Sequence, residues 1–165
     1  MMKFILAVLV LIASFSVNAI DYSAEQTKPC SHDENLTCDL NDQPLSGLLV
    51  SYNDAGLRIE SNFKDGKKQG IQRGYHKNGI LSSEMNFKEG KKDGLSKGYD
   101  MDGNLIYEET FKDGKSEGFL KNYYKTGQLR LDTNTKGNKR ISQRIYSKEG
   151  DLLYETKLDT ESEMK

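Results

Sequence analysis

The 165-residue chain has two histidines, two cysteines and two prolines. It has no marked excess of charge of either sign, with 24 basic and 25 acidic side chains and a formal net charge of −1. Each scarcity excludes something. With only His32 and His76, and with Cys30 and Cys38 placed to pair, imidazole or thiolate catalysis has few candidates. No serine sits in an elbow motif, and no glycine-rich phosphate loop follows a strand and opens a helix. Without a basic excess, nucleic acid is not a favoured partner. No segment beyond the first fifteen residues is apolar enough to cross a membrane. Hydrophobic residues make up 35% of the chain, leaving material for only a thin core, which suits a single-sheet repeat better than a layered globule.

The first residues are different in kind. Lys3 precedes the apolar run 4–15, and Val17-Asn18-Ala19 supplies small side chains for a cut after Ala19. This is the pattern of a secretory signal peptide at 1–19. The alternative is an uncleaved anchor, for which the run is short against the roughly 20 apolar residues a span needs. Cleavage removes Lys3 alone among the charges and leaves 23 basic against 25 acidic side chains, net −2. The expected location is the periplasm or the exterior, with a soluble mature chain. Export also accounts for the cysteines: Cys30 and Cys38, eight apart, read as a disulfide closing a small loop. A metal site using them with His32 and Asp33 is the weaker reading, because the spacing fits no zinc pattern. Asn35-Leu36-Thr37 is a formal glycosylation acceptor, relevant only in a host that glycosylates exported chains.

What the chain has in quantity is a period. Tyr52, Tyr75, Tyr99, Tyr123 and Tyr146 are spaced by 23, 24, 24 and 23 residues, and each is followed four residues later by glycine, Gly56 to Gly150. Such a step marks one small unit copied and stacked. All 15 glycines fall between Gly47 and Gly150, whereas both prolines and both cysteines precede Gly47. The division is therefore an N-terminal arm or cap at 20–46, a repeat array at 47–158 and a frayed polar tail at 159–165.

Each unit reads as a β-hairpin. Asn-Gly at 78–79 and Asp-Gly at 65–66, 102–103 and 113–114 are turn dipeptides between alternating segments. Leu81, Ser83, Met85 and Phe87 share one face; Ser82, Glu84 and Asn86 share the other. A helix is excluded because glycine recurs every few residues, at about 1 kcal/mol each against alanine. The glycines are assigned to turns. The expected fold is all-β: an open, twisted antiparallel meander of about five hairpins and roughly ten strands, with a short disulfide-closed arm that caps the first strand.

The pattern Gly-x-x-x-x-Tyr-x-x-x-Gly-x-Leu, followed by Phe-Lys-Asp/Glu-Gly-Lys-x-x-Gly, resembles the MORN-variant repeat of bacterial proteins over about 47–158. The resemblance implies a hairpin-repeat sheet without intrinsic catalysis or cofactor. Many members of that variant family carry an antitoxin label, and MORN arrays elsewhere mediate protein assembly or membrane apposition. The arm with Cys30 and Cys38 lies outside it.

Three columns recur in the array. Glu60, Glu84, Glu108, Asp132 and Glu155 form an acidic column facing away from the Leu/Phe side, its members about 9–10 Å apart if two strand spacings separate them. That is too far to share a calcium shell. Arg73, Lys97, Lys121 and Arg144 lie two residues before Tyr75, Tyr99, Tyr123 and Tyr146, hence on the tyrosine face. These cations, with Tyr75, Tyr99 and Tyr123, are the candidate partner-binding residues. The third set is Lys64, Lys67, Lys68, Lys88, Lys91, Lys92, Lys112 and Lys115 at turn tips. A lipid-headgroup reading of it is weakened by the interleaved Asp65, Glu89, Asp93, Asp113 and Glu117. The function expected is non-enzymatic binding of a protein partner, with a toxin as the concrete version; a scaffold on anionic lipid is the alternative.

Overall fold

A computed structural model describes residues 21–31 and 33–157. The expected signal peptide, His32 and the expected tail lie outside the described residues. The array begins with β4 (Gly47–Tyr52) and β5 (Arg58–Lys64), and continues through β6 (Lys67–Tyr75), β7 (Leu81–Lys88), β8 (Lys91–Tyr99) and β9 (Leu105–Lys112). It ends with β10 (Lys115–Tyr123), β11 (Leu129–Lys136), β12 (Lys139–Tyr146) and β13 (Leu152–Lys157). These ten strands are five consecutive hairpins, antiparallel throughout and in chain order across one open sheet. The fold is all-β, and no α-helix occurs among the described residues.

An eleventh strand departs from the meander. β1 (Asp21–Ser23) pairs parallel with β4, with Tyr22 opposite Leu49. A 3₁₀ turn (Ala24–Gln26) then leads into β2 (Thr27–Pro29), which pairs with β3 (Thr37–Asp39) as a separate two-stranded sheet. Cys30 and Cys38 form the disulfide that closes this arm, with Cα atoms 5.0 Å apart. The arm is fastened to the array by backbone bonds. Thr37 N–H donates to Gly66 O at 2.9 Å and Gly66 N–H to Leu45 O at 2.8 Å. Leu45, Leu49 and Phe63 make the buried hydrophobic cluster of the described residues, beside the buried disulfide. The apolar core therefore sits at one end of the molecule, under the arm.

Two kinds of turn alternate. At one end of the strands the two-residue turns Asp65-Gly66, Glu89-Gly90, Asp113-Gly114 and Gly137-Asn138 have positive φ at both positions, as in type I′ turns. At the other end five longer turns close on a glycine; in one, His76 N–H donates to Ile80 O and Gly79 N–H to His76 O. The units also interlock. Gly90 N–H donates to Lys68 O, Gly114 N–H to Lys92 O, and Asn138 N–H to Ser116 O, all within 2.8–2.9 Å. Each of the last three tight turns is thus hydrogen-bonded to the start of the strand that follows the turn one repeat back, so this end of the array is linked by a row of backbone bonds.

Turns do not account for all the glycines. Gly70, Gly74, Gly94, Gly98 and Gly118 lie inside strands. Gly94 sits where the β7–β8 register shifts, so that Asn86 alone faces Asp93–Leu95. Its φ of 105° is open to glycine and strained for other residues. The carbonyl freed there is recovered by the side chain opposite: Asn86 Nδ2 donates to Leu95 O at 2.6 Å. Asn62 does the same for Ile71 O at 2.8 Å.

Candidate functional site: a charged ladder on one sheet face

Period 2 along each strand separates two faces. One carries Leu49, Ser61, Phe63, Met85, Phe87, Ser96, Phe111, Leu120 and Thr133, where most of the burial lies. On this face small side chains stand opposite large ones, as in Met85 against Ser96 and Leu120 against Thr133. Two of the turn-tip lysines of the sequence reading belong here instead. Lys68 Nζ stands 5.1 Å from the Phe87 ring centroid and donates to Gln72 Oε1 at 2.6 Å, and burial lowers its pKa. Lys92 Nζ stands 4.8 Å from the Phe111 centroid. Their aliphatic stems cover the rings and their ammonium groups meet the π faces, which a turn-tip assignment misses.

The opposite face carries both charged columns, and the register merges them. Arg73 pairs with Glu60 on one side and Glu84 on the other. Lys97 lies between Glu84 and Glu108, Lys121 between Glu108 and Asp132, and Arg144 between Asp132 and Glu155. The result is one strip of nine side chains, alternating in sign on every strand from β5 to β13. Sequence periodicity finds the two columns; only the pairing shows that each fills the gaps of the other.

The contacts follow from that register. Arg73 Nε lies 3.1 Å from Glu84 Oε2, Lys97 Nζ 3.8 Å from Glu108 Oε1 and Arg144 Nε 2.8 Å from Glu155 Oε1. Arg58, two residues before Glu60 on the same strand, makes an ion pair with it. Tyr75 and Tyr123 tie in diagonally, their hydroxyls donating to Glu60 Oε2 at 2.7 Å and Glu108 Oε2 at 2.8 Å. Arg58 stacks 5.0 Å over the Tyr75 ring, and Lys121 stands 4.9 Å from Phe119. Tyr99 joins through its backbone, its carbonyl accepting from His76 Nε2 at 2.9 Å. Arg73, Lys97, Lys121, Arg144, Tyr75 and Tyr123 therefore share one half-exposed surface, on which each cation stands between acids across the strands rather than in a cluster, whereas Tyr99 is placed beside it only through its backbone. Reversing one rung tests the ladder's energetics. Lys97→Glu sets three acids in a row and should cost about 1–2 kcal/mol, a deficit that shrinks in molar salt. Thermal melts at low and high ionic strength measure both.

Burial first, then the Glu108 hydrogen bond and the Glu108 and Asp132 charges, push the Tyr123 phenol up to about 12. The folded chain holds this proton more tightly than the unfolded chain. The stabilisation is complete below pH 10 and is lost as pH rises toward 12. Tyr123→Phe should flatten the fall in melting temperature over that window; an unchanged slope would place the effect elsewhere.

At the long-turn end, Asn104, Leu105, Tyr123, Lys125, Thr126 and Gly127 line an open depression of about 230 Å³, below the usual range of ligand pockets, roughly 300–1,000 Å³. Among the described residues no three His, Cys, Asp or Glu side chains group to hold a metal. No helix among them is long and apolar enough to cross a membrane.

No curated protein matches the chain. The model of the MORN repeat variant matches two stretches, 68–89 and 92–113, which are the hairpins β6–β7 and β8–β9 almost to their ends. MORN repeats are a non-catalytic repeat type that binds proteins or membranes. The second and third hairpins, whose turns and tyrosines keep the pattern best, are thus the part of the chain that is similar to the MORN repeat variant.

Proposed function

We propose that the chain is an exported, non-enzymatic repeat protein that binds a protein partner through its ladder face, in an immunity or antitoxin-type role. The observation that carries this reading is the merged strip: five acids and four cations in alternation, with tyrosines beside them, on a sheet face that no second layer of described residues covers. A polyanion or an anionic bilayer gains little from a surface whose charges cancel at each step. A folded protein with its own fixed charges can match the pattern rung by rung, and the alternation rejects partners one rung out of register. Export rests on residues 1–19 and on the disulfide, which an oxidising compartment maintains.

The test is capture from the exported fraction with the wild-type protein and with an Arg73→Glu/Lys121→Glu variant whose fold is checked by circular dichroism. A stoichiometric partner retained by the wild type and lost by the variant is the expected result. Retention by both moves binding off this face. Flotation with anionic vesicles at low salt tests the lipid alternative, and protection of cells co-expressing the captured partner tests the antitoxin role.

A further inference from the structure

One acid stands apart from the charged ladder. Glu109 lies on the opposite face of β9, in a stretch where the pairing with β8 is regular from Tyr107 to Phe111. Its cross-strand neighbours are Ser96 and Leu120, neither of them a cation. The glutamates of the ladder face, Glu60, Glu84, Glu108 and Glu155, are each ion-paired. Among the described residues no hydrogen bond or ion pair reaches the half-buried Glu109 carboxylate. Ser96, opposite it, is 2% exposed, and its Oγ also has no partner there. Unsatisfied groups of this kind cost stability. The equivalent positions in the other repeats, Ser61, Met85, Thr133 and Thr156, carry no charge. Glu109 is therefore a departure from the repeat that the packing of the array does not require.

Two aromatic residues flank Glu109 on its own face, Tyr107 and Phe111, each two positions away along β9. Lys92 Nζ stands over the Phe111 ring, 4.8 Å from its centroid, and makes no ion pair with Glu109. The Tyr107 ring lies flat on the bare backbone of Gly98, so its other face turns outward. Burial and then the Glu109 charge raise the Tyr107 pKa, so phenol and carboxylate are within electrostatic reach of one another. Elsewhere the chain shows what such a pair can hold. Arg58 stacks 5.0 Å over the Tyr75 ring and pairs with Glu60, which accepts from the Tyr75 hydroxyl. We infer that Tyr107 and Glu109, with Ser96 beside them, form a subsite for an arginine side chain of a protein partner. The guanidinium stacks on the outer ring face and donates two N–H groups to the carboxylate. A planar, delocalised cation does both at once, whereas a lysine ammonium meets the carboxylate as a point charge. The subsite is on the face away from the ladder, so it stands or falls separately from the ladder-face reading.

Amide chemical shifts of the purified protein, titrated with N-acetylarginine methylamide, test it. The citrulline analogue, which keeps the shape and loses the charge, is the control. The expected result is saturable shifts centred on Ser96, Tyr107, Glu109 and Leu120, with the citrulline analogue at least about tenfold weaker. Glu109→Gln should weaken the arginine probe by a similar factor and leave the melting temperature unchanged or higher, because no group of the described chain uses the carboxylate. An absence of saturable shifts at these residues, whatever covers them, overturns the proposal. So does binding that Glu109→Gln leaves intact, or equal binding of N-acetyllysine methylamide. A fall in melting temperature in Glu109→Gln also overturns it, since the carboxylate would then serve the fold.

Discussion

Leu45→Ala removes about 3 kcal/mol of stability and lowers the melting temperature by roughly 6–12 °C. Leu45 is fully buried and, with Leu49 and Phe63, forms the hydrophobic cluster of the described residues. Large-to-small changes cost most where the surroundings cannot collapse into the gap. Here a disulfide holds one wall, and backbone bonds from Thr37 to Gly66 and from Gly66 to Leu45 hold another. Reduction of Cys30–Cys38 acts on the same unit. Opening a loop of about nine residues costs about 2–3 kcal/mol on the chain-entropy account, and the two losses should be less than additive because they share contacts. Location distinguishes this from general destabilisation. In a stacked array each unit sees mainly its neighbours, so amide exchange should rise first in β4 and β5 and last in β8 to β10. A uniform rise along the array would show that the arm does not form a separate cap.

Gly98→Ala destabilises by about 2 kcal/mol although alanine is the better strand residue. An added Cβ would lie 2.0 Å from Tyr107 Cε1 and 2.8 Å from Cζ, because the Tyr107 ring lies flat over the bare backbone of its cross-strand partner. The ring must swing into water and lose its packing. At the matching place one repeat earlier, a Cβ on Gly74 would meet Ser83 Oγ at 2.8 Å and Ser82 Oγ at 3.2 Å, and both hydroxyls can rotate. Gly74→Ala should therefore be nearly neutral. Gly98→Ala combined with Tyr107→Ser, which copies the Gly74–Ser83 pair, should recover much of the loss. Burial raises the Tyr107 pKa, so Gly98→Ala should also return that phenol toward its ordinary value in a spectroscopic titration. Additive losses in the double variant would remove the ring as the cause.

These two sites differ in how far the sequence reveals them. The tyrosine step and the Asn-Gly and Asp-Gly dipeptides announce the hairpins and their order, because turn chemistry and period-2 alternation are local. The pairing of Cys30 with Cys38 is legible for the same reason. Gly98 is not, since its neighbour Tyr107 occupies the position of Ser83 and nothing in a single strand shows which side chain lies over a glycine. Lys68 and Lys92 look like turn-tip charges in sequence, yet they extend over Phe87 and Phe111 in the next strand pair. The strand bulges at Gly70, Gly94 and Gly118 also escape a reading that gives glycines to turns.

The sequence by itself determines the repeat, its length, the hairpin at each step and the two columns of charge, because these follow from residue spacing and from what glycine and asparagine do at a turn. The tertiary structure decides what the spacing leaves open. It interleaves the columns into one alternating ladder, puts the apolar core at one end under a disulfide-closed arm, adds a parallel strand beside β4, and makes β13 the last strand of the sheet among the described residues. The physical reason is that cross-strand register is a relation between distant segments. It is set by bulges and turn geometry acting together, and a shift of one residue would send every side chain to the other face.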